Sequence, residues 1–270
     1  MQQAGTRLPK LREISWRIWL LLAIAAMAVL ALVAHGPIPQ PESYHRFADE
    51  RTILGVPNAW NVASNLPFLI VGLYGLWLLA RHHCRGSLSF LRPAYATFFV
   101  GVALVAVGSA YYHLDPSDAT LLWDRLPMTI AFAAFFVAIL GEHIKPDWVR
   151  LALVPVLAIG AFSVLWWRAS GDLRPYVLVQ YLPVILIPAI VLLYPSRLPG
   201  AKWVWAVLGV YAVAKVLEFF DVPIFQLWGV SGHSLKHIVA AVAVCFVAII
   251  VHAGRGIHDT GGQAVDAADA

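Results

Sequence analysis

The chain has 270 residues, 60% of them hydrophobic and 13% charged, with a mean hydropathy of +0.74. A soluble domain carries about a quarter charged residues, so this composition belongs to a protein immersed in a bilayer. The net charge of +4 comes from Lys and Arg in short loops with no basic stripe, which excludes a nucleic-acid role, and Cys84 and Cys245 are too few and too far apart in kind for a disulfide framework or a thiolate zinc site.

Residues 1–17 are polar and basic, and the apolar run Ile18 to Ala34 follows. That run is longer than a signal-peptide core, and Leu32 is a poor residue at position −3 for cleavage, so the reading is a retained membrane helix. Residues 35–57 are polar and rich in proline. Seven further apolar runs come next, at 58–80, 92–113, 123–142, 148–168, 175–194, 202–219 and 232–252. Each is long enough to cross about 30 Å of hydrocarbon, and the short loops between them require antiparallel neighbours. The expected fold is therefore an all-α integral membrane bundle, with a small acidic tail beyond Ala253. Nothing repeats internally, and no second domain is apparent.

Basic residues set the expected orientation. Alternate segments that include the N-terminus hold twelve Lys and Arg, whereas the opposite set holds only Arg46, Arg51, Arg168 and Arg174. The positive-inside rule then places both termini in the cytoplasm.

Polar side chains within spans are costly, and here they fall at one level. Asn61, Ser64 and Asn65 open the second span, Ser109 and His113 close the third, and Asp124 and Arg125 open the fourth. Gln180 lies early in the sixth span, Lys215 and Glu218 late in the seventh, and His233, Lys236 and His237 open the eighth. All belong to the outer half, which describes a polar chamber open to the outer face better than it describes scattered interfacial residues. Tyr111, Tyr112, Trp123 and Trp228 fit an interfacial aromatic belt, and Lys215 with Glu218 at i, i+3 fits a structural ion pair.

His233 and His237, spaced i and i+4, share one helix face, and Ser109 lies one turn before His113 on another. Three imidazoles with an open fourth position are a catalytic zinc geometry; a nearby Asp124 that is not a ligand can take a proton, and Ser109 can support the attacking water or an oxyanion. A serine nucleophile with His113 and Asp124 is the rival reading; it leaves the His233/His237 pair unused and lacks a G-x-S-x-G elbow. Ordinary helix packing by Ser109, capping or ion pairing by Asp124, and a solvated vestibule remain the bland alternatives.

The order Ser109-x-x-x-His113, then Asp124 in Trp123-Asp124-Arg125-Leu126-Pro127-Met128, then His233-x-x-x-His237 resembles the alkaline ceramidases. These sit in a wider group of seven-helix membrane hydrolases that includes the adiponectin-receptor-like proteins. Asn58 to Asn65 looks like that family's first core helix, and Glu218-Phe219-Phe220-Asp221 like its penultimate one. The resemblance covers 44–252 as a ceramidase-like domain. It leaves 1–43 as an N-terminal segment with one extra helix and 253–270 as a disordered cytoplasmic tail.

The resemblance implies a zinc-dependent amidase that hydrolyses the N-acyl bond of ceramide or a similar lipid. His113, His233 and His237 would bind zinc, Asp124 would transfer protons, and Ser109 would support the water or oxyanion. The animal enzymes also carry an acidic calcium site near the first core helix. This chain offers Asp49 and Glu50 there, with Asn58 where an acidic residue is expected, so calcium is a weaker expectation than zinc. The resulting expectation is a multi-pass protein of a bacterial inner membrane with its site on the periplasmic side. A receptor-like or lipid-binding protein with a structural zinc is the alternative, and a transporter is a weaker third reading.

Overall fold

The computed structural model describes residues 15–81, 87–196 and 200–254. The basic segment before Ser15, the His82-His83 pair (whose sequence reading is loop surface on the inner side) and the tail beyond Gly254 lie outside the described residues. Within those residues the chain is all-α, with no named strand. Helix α1 runs Trp16–His35, α2 Ala59–Ala63, α3 Leu66–Arg81, α4 Ser87–Leu114 and α5 Asp118–His143. Helix α6 spans Trp148–Ser170, α7 Arg174–Leu193, α8 Trp203–Phe219, α9 Asp221–Trp228 and α10 Gly232–Ala253. Seven segments are long and apolar enough to cross a membrane, and α8 with α9, bent by 79°, makes an eighth if counted as one span. This is an all-α membrane fold.

Helix boundaries follow local chemistry. Ser117 caps α5 through a reciprocal capping box with Thr120, so that helix begins at Asp118 and not near 123 as the apolar pattern suggests. Asp124 therefore lies in the second turn, where it caps nothing. Ser231 caps α10 by accepting from the backbone N–H groups of His233 and Ser234. The expected second span is broken between α2 and α3. There Ser64 Oγ and Asn65 Nδ2 donate to the Asn61 carbonyl and compete with the helical ladder.

Helices α3, α4, α5, α6 and α10 form the packed centre, and α8 lies chiefly against α10. Helix α1 is peripheral: it packs on α7, and Leu21 is its one buried residue. Lipid tails are as apolar as leucine, so these contacts rest on close packing, and small residues mark the tight crossings. Gly108 is the clearest case. A Cβ there would stand 1.9 Å from the Trp123 carbonyl oxygen, so only glycine lets α4 press against α5 at this level. Gly232 plays the same part for α10, whose first turn abuts the Leu217 carbonyl oxygen at 2.3 Å from an added Cβ. Both glycines adjoin site residues.

Exposure divides the four aromatic residues expected at the membrane interface. Tyr111, Trp123 and Trp228 are exposed, but Tyr112 is buried and pairs with His45 Nδ1 at 3.0 Å.

Candidate metal centre

His113, from the last turn of α4, meets His233 and His237, from the first two turns of α10. Their ring centroids are 4.9–5.1 Å apart in all three pairings, and one nitrogen from each ring lies within 4.8 Å of the others. All three are buried. A tetrahedral zinc with Zn–N bonds of about 2.0–2.1 Å holds its nitrogens roughly 3.3 Å apart, so small side-chain adjustments would close the set around an ion.

Hydrogen bonds orient this cluster. The Ser64 hydroxyl lies 2.8 Å from His237 Nδ1 and 3.1 Å from the Asn61 carbonyl oxygen. A carbonyl can only accept, so the single hydroxyl proton goes to Asn61 and Ser64 accepts from His237 Nδ1–H. That fixes the tautomer and leaves the Nε2 lone pair of His237 free for a metal. His113 Nδ1 is buried with no partner among the described residues, a costly state that a metal ion on the ring nitrogen would explain. Lys236 Nζ lies 3.1 Å from His233 Nε2 and 2.9 Å from Glu218 Oε1. A metal taken by His233 Nε2 requires the ammonium to give up that contact and keep Glu218. One taken by Nδ1 leaves it in place.

The backbone around the cluster is pinned by Asn58 ahead of α2, by Asn61 within it and by Asp221 at the start of α9. Asn58 adopts a left-handed conformation (φ 47°), which asparagine tolerates, and its amide donates to the His113 carbonyl oxygen at 2.9 Å. Asn61 donates to the Asp49 carbonyl and accepts from the Ser234 hydroxyl at 2.7 Å, tying loop to α10. Asp221 accepts from Ser231 Oγ at 2.5 Å, from the His233 backbone N–H and from the Ala48 backbone N–H. Phe47 lies over His113 and His233 with centroids 4.7 and 4.8 Å away, covering the cluster on its loop side.

The five residues singled out from the sequence come together. His237, Ser109 and Asp124 line one cavity of about 180 Å³, and the Ser109 hydroxyl interacts with the Asp124 carboxylate across the α4–α5 crossing. Neither bland ion pair forms for Asp124: Arg125 bonds Gln40 Oε1 at 2.6 Å and stacks near Trp167 and Tyr176, while Lys236 bonds Glu218. From this polar end the cavity runs along Phe98, Val102, Phe135, Ile187 and Val247. A second groove, lined by Tyr181, Val184 and Pro188 of α7 and by Trp205 and Leu208 of α8, adjoins it at Lys215. Ser64, Asp221 and Phe47 went unassigned in the sequence, although Ser64 and Asn61 already stood out as polar residues at the site's level.

The residues ahead of α2 do not fit a calcium ion. Asp49 is fully buried, and Arg51 Nε and Nη2 occupy its two oxygens at 2.8 and 2.6 Å. Arg51 hydrogen bonding holds that carboxyl below its usual range. Glu50 is exposed, and the Asn58 amide is spent on His113. Among the described residues, the three histidines form the one cluster with metal-ligand spacing.

A family model described as Ceramidase matches residues 55–264. The chain belongs to the ceramidase family. Comparison with curated proteins finds no match. The ceramidase match takes in α2 through α10 and every residue of the cavity's polar end except Tyr44, and it leaves out α1 and the loop that carries Phe47. Membership makes this a ceramidase-like membrane hydrolase, with three buried histidines able to bind a metal ion.

Proposed function

We propose that the protein is a zinc-dependent amidohydrolase that cleaves the N-acyl bond of ceramide or a ceramide-like lipid, releasing a fatty acid and a sphingoid base. One observation carries the reading: three buried histidines converge, and one of them, His237, lines the polar end of a cavity whose wall also presents Asp124 and Ser109. His113, His233 and His237 would hold a zinc ion, which would supply Lewis acidity for acidifying water and polarising a carbonyl.

The remaining chemistry belongs to the chain. Asp124 accepts a proton from the attacking water as its oxygen bonds to the carbonyl carbon, and returns a proton to nitrogen as the C–N bond breaks. The products are a carboxylic acid and an amine, and the atoms of one water are divided between them. Ser109, beside Asp124, orients the water or donates to the developing oxyanion. The apolar length of the cavity holds the acyl chain, and the α7–α8 groove gives a path from the bilayer. The charge distribution supports a site on the outer, periplasmic side of a bacterial inner membrane, with both termini inside. Residues 44–252 form the working domain, with α1 as an added anchor.

The test is release of fatty acid from ceramide by purified protein. Asp124→Asn should lower release by about 10²–10⁴-fold while zinc stays bound, which a receptor-like protein with a structural zinc does not require. Undiminished release by His237→Ala overturns the reading.

A further inference from the structure

Two lysines share one carboxylate in the cavity wall. Glu218 of α8 accepts from Lys236 Nζ of α10 at 2.9 Å and from Lys215 of its own helix, one turn earlier. Clamping α8 to α10 needs only one cation per carboxylate, and the Lys236–Glu218 bond already supplies it. Lys215 is the surplus. Its one hydrogen bond among the described residues is to Glu218, and its other contact is the Tyr181 ring with the centroid 6.0 Å away, so its ammonium keeps donor capacity that no protein oxygen takes up. Its side chain is 32% exposed, and it lies where the main cavity meets the α7–α8 groove.

The wider charge balance points the same way. The cavity wall holds two cations, Lys215 and Lys236, against two carboxylates, Glu218 and Asp124, with the buried Arg125 behind Asp124. Arg125 is held by the neutral amide of Gln40 and by aromatic faces, so its own charge has no carboxylate in contact with it. Once Asp124 takes a proton during hydrolysis, the wall is left with two cations against one carboxylate. Unmet ammonium donors inside a bilayer are costly and call for an anion.

We propose that Lys215 and Lys236, bridged by Glu218, form a subsite for an oxyanion that the lipid carries close to its amide. The preferred substrate is then an anionic N-acyl lipid, with a carboxylate or phosphate near the scissile bond, and neutral ceramide is the poorer one. Lys236 touches a ring of the metal cluster, so the anion must lie within a few bonds of the reacting carbonyl. Lys215 meets the same group as it arrives from the groove. This inference rests on the amidase reading, but its test separates the two.

Hydrolysis of two matched pairs is compared: N-palmitoylglycine with N-palmitoylethanolamine, and ceramide 1-phosphate with ceramide. The wild type should favour the anionic member of at least one pair by about tenfold or more in kcat/KM, the scale of a charge-assisted hydrogen bond, and which pair shows it tells carboxylate from phosphate. In Lys215→Met that preference should fall to near unity, through KM, while Lys215→Arg restores it. Dodecyl phosphate, but not dodecanol, should also raise the thermal stability of the wild type and lose this effect in Lys215→Met. Neutral members cleaved as well as or better than both anionic ones refute the subsite and leave the amidase reading standing. No cleavage of any of the four, with no bound zinc, refutes the amidase reading; a surviving dodecyl phosphate shift would then still support the anion site, and its absence would refute that as well.

Discussion

Replacing Ser64 by alanine is the sharpest probe of how the histidine cluster is held. The wild-type hydroxyl accepts from His237 Nδ1–H at 2.8 Å in a buried setting, and the alanine methyl offers nothing in its place. The ring then has two routes. It keeps the Nδ1–H tautomer with an unsatisfied buried donor, at a cost of about 1–3 kcal/mol. Alternatively, it moves the proton to Nε2 and loses the lone pair aimed at the cluster. Either route weakens metal binding, and loss of such an outer partner typically costs about 10–100-fold in affinity. Zinc affinity should be measured by competition with a chromogenic chelator on purified Ser64→Ala, beside Ser64→Thr, which keeps a hydroxyl. The expected result is a 10–100-fold weaker site in the alanine variant and substantial recovery with threonine. An alanine variant that binds zinc within about twofold of the wild type refutes the assignment of the His237 tautomer.

Other expectations follow from the same contacts. Gly108→Ala drives a Cβ to within 1.9 Å of the Trp123 carbonyl and should cost about 1–3 kcal/mol or more of stability, read as a lower melting temperature in detergent; an unchanged value contradicts the close α4–α5 crossing. Asp124→Asn should lower kcat by about 10²–10⁴-fold with zinc content unchanged, and loss of zinc instead would make Asp124 a ligand. A calcium-selective chelator should leave turnover within about twofold, because Arg51 already fills Asp49, whereas a marked calcium requirement would show that the guanidinium gives way. Asp172, in the loop between α6 and α7, has its pKa lowered to about 2, mainly by hydrogen bonding from Arg174, and it also accepts from the Ile38 backbone N–H. Its contribution is present above the ordinary value of 3.8 and is lost as pH falls toward 2, so the Ile38 amide should become unprotected in hydrogen exchange over that interval and stay protected in neutral solution.

Much of the site was legible because its signals are local. The i, i+4 spacing of His233 and His237, the Ser109–His113 turn and the shared depth of the polar residues all survive without tertiary knowledge. What failed depended on competition or on distant partners. The break after Ala63 arises from Asn61, Ser64 and Asn65 bonding among themselves within an apolar run that composition reads as continuous. The early start of α5 comes from a capping box with Thr120 in the position where Glu or Gln is the familiar signal. Tyr112 looks like a belt residue until the preceding loop folds back and gives its hydroxyl His45. Lys215 and Glu218 were legible as a pair, but the third member arrives from α10, and only the packing of α8 on α10 reveals two cations on one carboxylate.

The central claim is that His113, His233 and His237 hold one zinc ion on which hydrolysis depends. Metal analysis of purified wild type and of the three single alanine variants, run beside fatty-acid release from N-acyl lipids, tests it most directly. The account requires about one zinc per chain in the wild type, and both zinc and turnover lost in each variant. Turnover that persists in a variant without zinc, or a wild type that is active without it, contradicts the account.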